Sequence, residues 1–353
     1  MSKFFNESLS GLEVYTPGEQ PQDKKYIKLN TNESPYPASQ AVVDAITNKE
    51  IEDLRLYCDP DCKKLKSAFA NLYGVKDENI FLSNGSDDIL NFSFLAFGEQ
   101  GAVYNDITYG FYSVFAELHG IKSTIIPLNE DFTIDTSAFI GQNKLVVIAN
   151  PNAPTGIALE LDEIEKIVIS NPDSVVLIDE AYVDFGGVSC YKLTEKYDNL
   201  LCVGTFSKSR SLAGARLGFA IGNKELIADL ERIKYSTNPY NINRLTQVAG
   251  LACVLDNDYY MQNCKKIIQT REFVTAELKG LGFTVLDSKA NFIFAKSDKI
   301  GGKELYLKLK ENGVLIRHFE KDKIKDYNRI TIGSREEMEI FKQKVKEILG
   351  EKL

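Results

Sequence analysis

Leu65, Phe69, Leu72 and Tyr73 recur at helical spacing with Gly74 behind them, which predicts an amphipathic helix and its stop. A short strand is expected at 79–82, then the turn Ser83-Asn84-Gly85-Ser86, then a helical pattern from Asp87. Continuous apolar runs fill 145–149 and 175–178, and two more strands are read at 200–203 and 217–221. A strand that is apolar on both sides belongs in a parallel sheet covered by helices on both faces. This alternation predicts an α/β fold, a large domain with a mostly parallel sheet flanked by helices. From about residue 257 the pattern changes. A mostly polar helical stretch runs to Gly280, shorter strands follow at 283–285, 291–295 and 314–317, and a helix closes the chain. Ser334 and Glu337 have capping-box spacing there, with Met338, Phe341, Val345 and Ile348 as the apolar stripe. The expected division is a polar, proline-marked N-terminal arm over 1–30, a large domain over 31–256 and a smaller α+β domain over 257–353.

Composition narrows the chemistry. The 353 residues carry 42 Lys+Arg against 50 Asp+Glu, a net charge of −8. With no basic block, nucleic acid is not the expected partner. No apolar run is long enough to span a bilayer, and the first thirty residues lack a secretory h-region. Six scattered cysteines in a chain of this length do not make a disulfide scaffold and read as reduced thiols of a cytoplasmic protein. Two histidines, at 119 and 318, offer little for a zinc site, and no Gly-x-Ser-x-Gly elbow marks a serine hydrolase.

The candidate chemistry lies at the carboxyl ends of the apolar strands, where open α/β sheets bind ligands. Asp179-Glu180-Ala181-Tyr182 ends one such strand. It reads as a strand-end carboxylate bonded to a loop, or as a magnesium-holding strand of an NTPase. The second reading requires a Gly-x-x-x-x-Gly-Lys-[Ser/Thr] loop, which the sequence lacks. Gly204-Thr205-Phe206-Ser207-Lys208-Ser209 ends the next strand, with Lys208 29 residues after Asp179. Most lysines are solvated, but if the two strands are neighbours, both side chains enter one cleft. A desolvated lysine near another cation forms Schiff bases. Asn84-Gly85-Ser86-Asp87 feeds a helix N-terminus and reads equally as an anion site or an ordinary helix start. Asn152, in the turn 150–156, either presents an amide to a ligand or belongs to a merely rigid turn.

An aldehyde for Lys208, a ring nitrogen for Asp179 and a phosphate for the Gly85–Ser86 turn with Thr205 and Ser207 together describe pyridoxal 5'-phosphate. With these residues in place, the chain resembles the fold type I pyridoxal-phosphate aminotransferases and, within them, the histidinol-phosphate aminotransferase family. The similar runs include Leu29-Asn30-Thr31-Asn32-Glu33-Ser34-Pro35-Tyr36, Tyr57-Cys58-Asp59-Pro60, Thr108-Tyr109-Gly110-Phe111-Tyr112, Leu212-Ala213-Gly214-Ala215-Arg216 and Arg329-Ile330-Thr331-Ile332-Gly333.

The resemblance implies a role for each candidate. Lys208 forms the Schiff base and shuttles the proton, Asp179 keeps the ring nitrogen protonated, and Tyr182 bonds the ring O3′. Tyr109 stacks on the ring. Arg216, with Gly85, Ser86, Asp87, Thr205 and Ser207, holds the phosphate. Tyr57 reaches the other subunit's cofactor, which implies a homodimer with a shared active site. Asn30, Arg317 and Arg329 bind substrate, Arg329 at the α-carboxylate and Arg317 at a distal phosphate. One departure is Ala153, where many relatives have Asn directly before Pro-Thr-Gly; its O3′ contact passes to Asn152 or is lost. The implied reaction transfers an amino group between histidinol phosphate and 2-oxoglutarate, in histidine biosynthesis. The alternatives are an aromatic amino acid aminotransferase and a phosphothreonine decarboxylase.

Overall fold

The structure is a computed structural model that describes residues 2–13 and 15–351. In chain order the strands are β1 (Ile27–Lys28), β2 (Ile80–Ser83), β3 (Ala102–Asn105), β4 (Ser123–Ile126), β5 (Leu145–Ala149), β6 (Val176–Asp179) and β7 (Leu200–Thr205). There follow β8 (Gly218–Gly222), β9 (Phe283–Val285), β10 (Phe292–Ser297), β11 (Val314–Leu315), β12 (Arg317–His318) and β13 (Asn328–Thr331). Seven of them form the central sheet in the order β2-β8-β7-β6-β5-β3-β4. Only β8 runs against its neighbours; the other pairings in that sheet are parallel.

Strand periodicity explains why the runs at 145–149 and 176–178 are apolar throughout. Val146, Ile148, Val176 and Ile178 pack on one face with Ile164, Ile167 and Val168 of the Leu161–Ser170 helix. Leu145, Val147, Ala149 and Leu177 pack on the other, with Ile89 and Leu90 of the Ser86–Phe97 helix and Tyr112 and Phe115 of the Phe111–Leu118 helix. Each fully buried side chain of this size contributes about 1.5–3 kcal/mol, so a polar residue within either run needs another justification. Asp179, the last residue of β6, and Glu180 just after it break the apolar pattern.

The second sheet is antiparallel, in the order β12-β13-β10-β9. Its Ile293 and Ile330 pack with Val274 and Leu278 of the Asn257–Gly280 helix and Phe341 and Val345 of the Arg335–Leu349 helix. The Ser334–Glu337 capping box forms as the spacing predicts. The expected single strand at 314–317 is corrected. β11 pairs in parallel with β1, while β12, beyond Ile316, pairs with β13. Its two halves belong to different sheets, which a run of apolar residues cannot reveal. The 217–221 and 291–295 strands are shifted to 218–222 and 292–297, the usual slack of element ends.

Candidate active site

Strands β6 and β7 are parallel neighbours, with Asp179 in register with Val203. Asp179 and Lys208 therefore meet at the carboxyl edge of the sheet. Both line a cavity of about 380 Å³ that also takes in Ser86, Tyr109, Tyr182 and Arg216. A second cavity of about 320 Å³ shares Tyr109, Tyr182 and Lys208 as its wall and adds Asn30, Arg317 and Arg329.

Asp179 is buried, and both its oxygens accept: Oδ2 from the Tyr112 hydroxyl at 2.8 Å and Oδ1 from the Ala181 amide at 3.2 Å. Burial pushes its carboxyl up to about 6, while these two donors pull it back. Glu180, one residue on, turns to the opposite face and accepts from the Cys190 amide and the Ser189 hydroxyl. The two acids thus do not form one cation site, which removes the NTPase reading. Lys208 is partly buried, and its Nζ donates to the Thr31 carbonyl at 3.3 Å. Burial first, then the Arg329 charge, lower its amine to about 8. At pH 7 about a tenth of it is neutral, roughly 300 times the fraction of an ordinary lysine.

The glycine turn is built for close approach. Gly85 is the N-cap of the Ser86–Phe97 helix at φ +84°, and no side chain caps that end. A Cβ on Gly85 would lie 2.6 Å from an Arg216 nitrogen, and one on Gly218 would strike the Gly85–Ser86 peptide. The first-turn amides, Arg216 and the hydroxyls of Thr205 and Ser207, which bond each other at 3.0 Å, surround one end of the first cavity. Arg216 pairs there with Asp87 at 2.7 Å, and Tyr109 donates to the same carboxylate at 2.8 Å.

In the second cavity the Arg329 guanidinium donates to the Asn30 carbonyl at 2.9 Å, and its buried Nε has no partner. The Arg317 guanidinium donates to the carbonyls of Thr16 and Pro17 in the arm, at 3.2 and 3.3 Å. Asn30 spends its amide nitrogen on the Glu19 carbonyl.

Two expected residues stand apart. The Asn152 side chain is turned into the fold. It accepts from the Thr108 hydroxyl at 2.9 Å and donates to the Ile107 carbonyl and the Thr155 hydroxyl. Tyr57 is 80% exposed, stacked on Tyr240 with ring centroids 4.5 Å apart, and lines neither cavity. Tyr112 and Asn32 are the neighbours that residue-by-residue reading missed. Both fall inside the similar runs, but nothing in an apolar–polar pattern says that a buried tyrosine ends on a carboxylate.

The family model for class I and II aminotransferases matches residues 24–345. A histidinol-phosphate aminotransferase of Brachyspira hyodysenteriae is 53% identical over 352 residues, 99% of both chains, and one of Clostridium botulinum strain Kyoto is 47% identical over the same span. Among solved structures, the histidinol-phosphate aminotransferase of Clostridium acetobutylicum superposes with a TM-score of 0.84 at 25% identity, over 92% of this chain and 99% of that one. An L-threonine-O-3-phosphate decarboxylase of Porphyromonas gingivalis, at 22% identity, shares the fold with a TM-score of 0.80 over 92% of this chain and all of that one. Through the family match and these full-length relatives, the chain belongs to the class I and II aminotransferases.

Proposed function

We propose that this chain moves the amino group of histidinol phosphate to 2-oxoglutarate, using pyridoxal 5'-phosphate held at Lys208. One observation carries the reading: an amine lowered to about 8 shares one cavity with a buried carboxylate from the neighbouring strand, and an open phosphate cradle lies beside both. The full-length relatives that bear this activity in their names support the substrate.

The residues present fit the cofactor. Glycine at 85 and 218 leaves the backbone room for a phosphate at the helix N-terminus. Arg216 already pairs with Asp87, so its guanidinium would be shared between that carboxylate and the phosphate. Asp179, fixed by Tyr112 and Ala181, is placed to hold a proton on a ring nitrogen. Tyr109 offers a ring face. When bound, the cofactor supplies the electron sink for the α-carbon. Once the substrate's amino group has replaced it on the cofactor, the freed Lys208 amine would take the α-proton as general base and deliver a proton to the carbon on the cofactor side. Its lowered pKa allows both at neutral pH. The unpartnered Nε of Arg329 awaits a carboxylate, and Arg317 must exchange two arm carbonyls for the distal anion.

A second copy of the chain is part of this proposal. Tyr57 is exposed on a segment that also exposes Val43, Ile46, Ile51, Leu54 and Leu56. Exposed apolar side chains clustered within one short stretch of sequence suit a contact surface, and a homodimer that covers them would carry Tyr57 to the partner's cofactor. The proposed division is an arm over 1–30, a large domain over 31–256 and a small domain over 257–353; the central sheet's strands within 80–222 and the four-stranded sheet's within 283–331 support it. A cytoplasmic site is inferred for the enzyme. Among the described residues, no helix is long and apolar enough to cross a membrane.

The test compares histidinol phosphate, phosphothreonine and phenylalanine as donors to 2-oxoglutarate. Preferred turnover of histidinol phosphate with ping-pong kinetics is expected. Release of CO₂ from phosphothreonine, or a preference for phenylalanine, would overturn the substrate. Lys208→Ala should abolish turnover with the fold intact.

A further inference from the structure

The turn before Gly156 lines the cavity with Pro151 and Ala153, neither of which carries a side-chain donor, and the Asn152 amide is fully spent elsewhere. The Tyr182 hydroxyl nevertheless has a partner. Asn32 Nδ2 donates to it at 3.0 Å. Asn32 is 1% exposed and held from three sides. Its backbone N–H donates to the Thr331 hydroxyl at 3.0 Å, that hydroxyl donates back to Asn32 Oδ1 at 3.0 Å, and Asn291 donates to its carbonyl at 3.0 Å. The φ of +56° is in the left-handed region that asparagine tolerates.

In this network Thr331 accepts from the Asn32 N–H and passes its own proton to Oδ1, which leaves Nδ2 facing Tyr182. The Tyr182 oxygen accepts there, and its own proton is left to point into the cavity. The ring cannot swing away, because it packs edge-on to Phe292 at 5.0 Å. We propose that Asn32 is a positioning residue that acts through Tyr182, aiming the tyrosine proton at the phenolic oxygen of a pyridoxal ring attached to Lys208. The inference rests on the cofactor reading above. It assigns to a residue of the arm junction the support that Ala153 cannot give. Burial keeps the Tyr182 phenol above its ordinary value, so the hydroxyl retains the proton it is to donate.

The test is a visible-absorbance pH titration of the reconstituted enzyme. Donation to the phenolic oxygen stabilises its anion, so losing the donor raises the pH at which the Lys208–cofactor chromophore deprotonates. Asn32→Asp keeps the shape and the Thr331 contact without the N–H donor; Asn32→Gly tolerates the backbone angle without a side chain. Each should move the midpoint upward by about half to one pH unit. Tyr182→Phe should move it too, and Asn32→Gly added to Tyr182→Phe should move it no further. Unchanged midpoints in both Asn32 variants, or additive shifts in the double variant, would overturn the proposal. If neither Asn32 variant folds, Thr331→Val, which unfastens Oδ1, must shift the midpoint in the same direction or the proposal fails. A wild-type protein with no visible band would instead remove the cofactor reading itself.

Discussion

Arg317 and Arg329 stand directly opposite each other across the β12–β13 pair. Like charges at such a site destabilise a sheet by a few tenths of a kcal/mol to about 1, and two arm carbonyls now absorb part of the Arg317 charge. The juxtaposition makes sense if an anion is to lie between them. Arg317→Gln should therefore raise KM for a phosphorylated donor at least tenfold while sparing kcat for a non-phosphorylated one. The protein without substrate should become slightly more stable, by less than about 1 kcal/mol, in urea denaturation. An unchanged KM would remove Arg317 from the substrate site.

Tyr112 reaches Asp179 from the helix Phe111–Leu118, and the contact is fully buried. A hydrogen bond to a charged group contributes about 1.5–3 kcal/mol. Tyr112→Phe leaves Asp179 with only the Ala181 amide, so its carboxyl should titrate above the present value of about 6. The acidic limb of the kcat profile should move upward in pH, with kcat at pH 7 down about tenfold or more. A profile that superposes on wild type would show that Tyr112 only fills space.

Lys208 links function to stability. Its amine titrates near 8 in the fold, against 10.5 for an ordinary lysine. The unfolded chain therefore binds more protons between these values, and the contribution of this group to stability rises with pH from about 8 to 10.5. Below pH 8 it is a net cost, at most about 3 kcal/mol and reduced because the side chain is only partly buried. Lys208→Met should stabilise the cofactor-free protein at pH 7 by about 1–3 kcal/mol, and the gain should shrink as the pH is raised through 10. The same amine should capture added pyridoxal phosphate at a rate that climbs through pH 8 rather than through 10.5.

The central sheet was legible because its strands are apolar on both faces, which only a two-sided helical cover explains. Asp179 was legible because it ends such a strand and Lys208 because it closely follows the next, and the strands proved adjacent. What pattern cannot supply is side-chain direction across distant elements. Asn152 lies in a turn beside the cavity yet faces inward, whereas Asn32, 120 residues earlier, makes the contact with Tyr182. Cys190 and Cys202 lie on separate elements and still bring their sulfurs to 3.1 Å. The split at Ile316 was hidden for a related reason, since pairing partners are chosen by topology rather than by hydrophobicity.

Gly218 opens β8 in register with Ser83, just before the glycine turn of the phosphate cradle. A methyl at 218 would collide with the Gly85 carbonyl carbon and the Ser86 nitrogen, both backbone atoms that no rotamer change can move. Gly218 has an ordinary φ, so the obstacle is contact alone. Gly218→Ala should therefore displace the turn rather than strain its own backbone. Overpacking of this kind costs about 1–3 kcal/mol, and the Ser86 amide that moves belongs to the turn proposed to hold the phosphate. Stability in urea should fall by that amount, and the dissociation constant for pyridoxal phosphate should rise tenfold or more. Gly214→Ala, at a glycine on the same cavity wall with open space around its Cβ, is the control and should change neither. A Gly218→Ala protein with wild-type cofactor affinity would mean that the anion is not held at this turn.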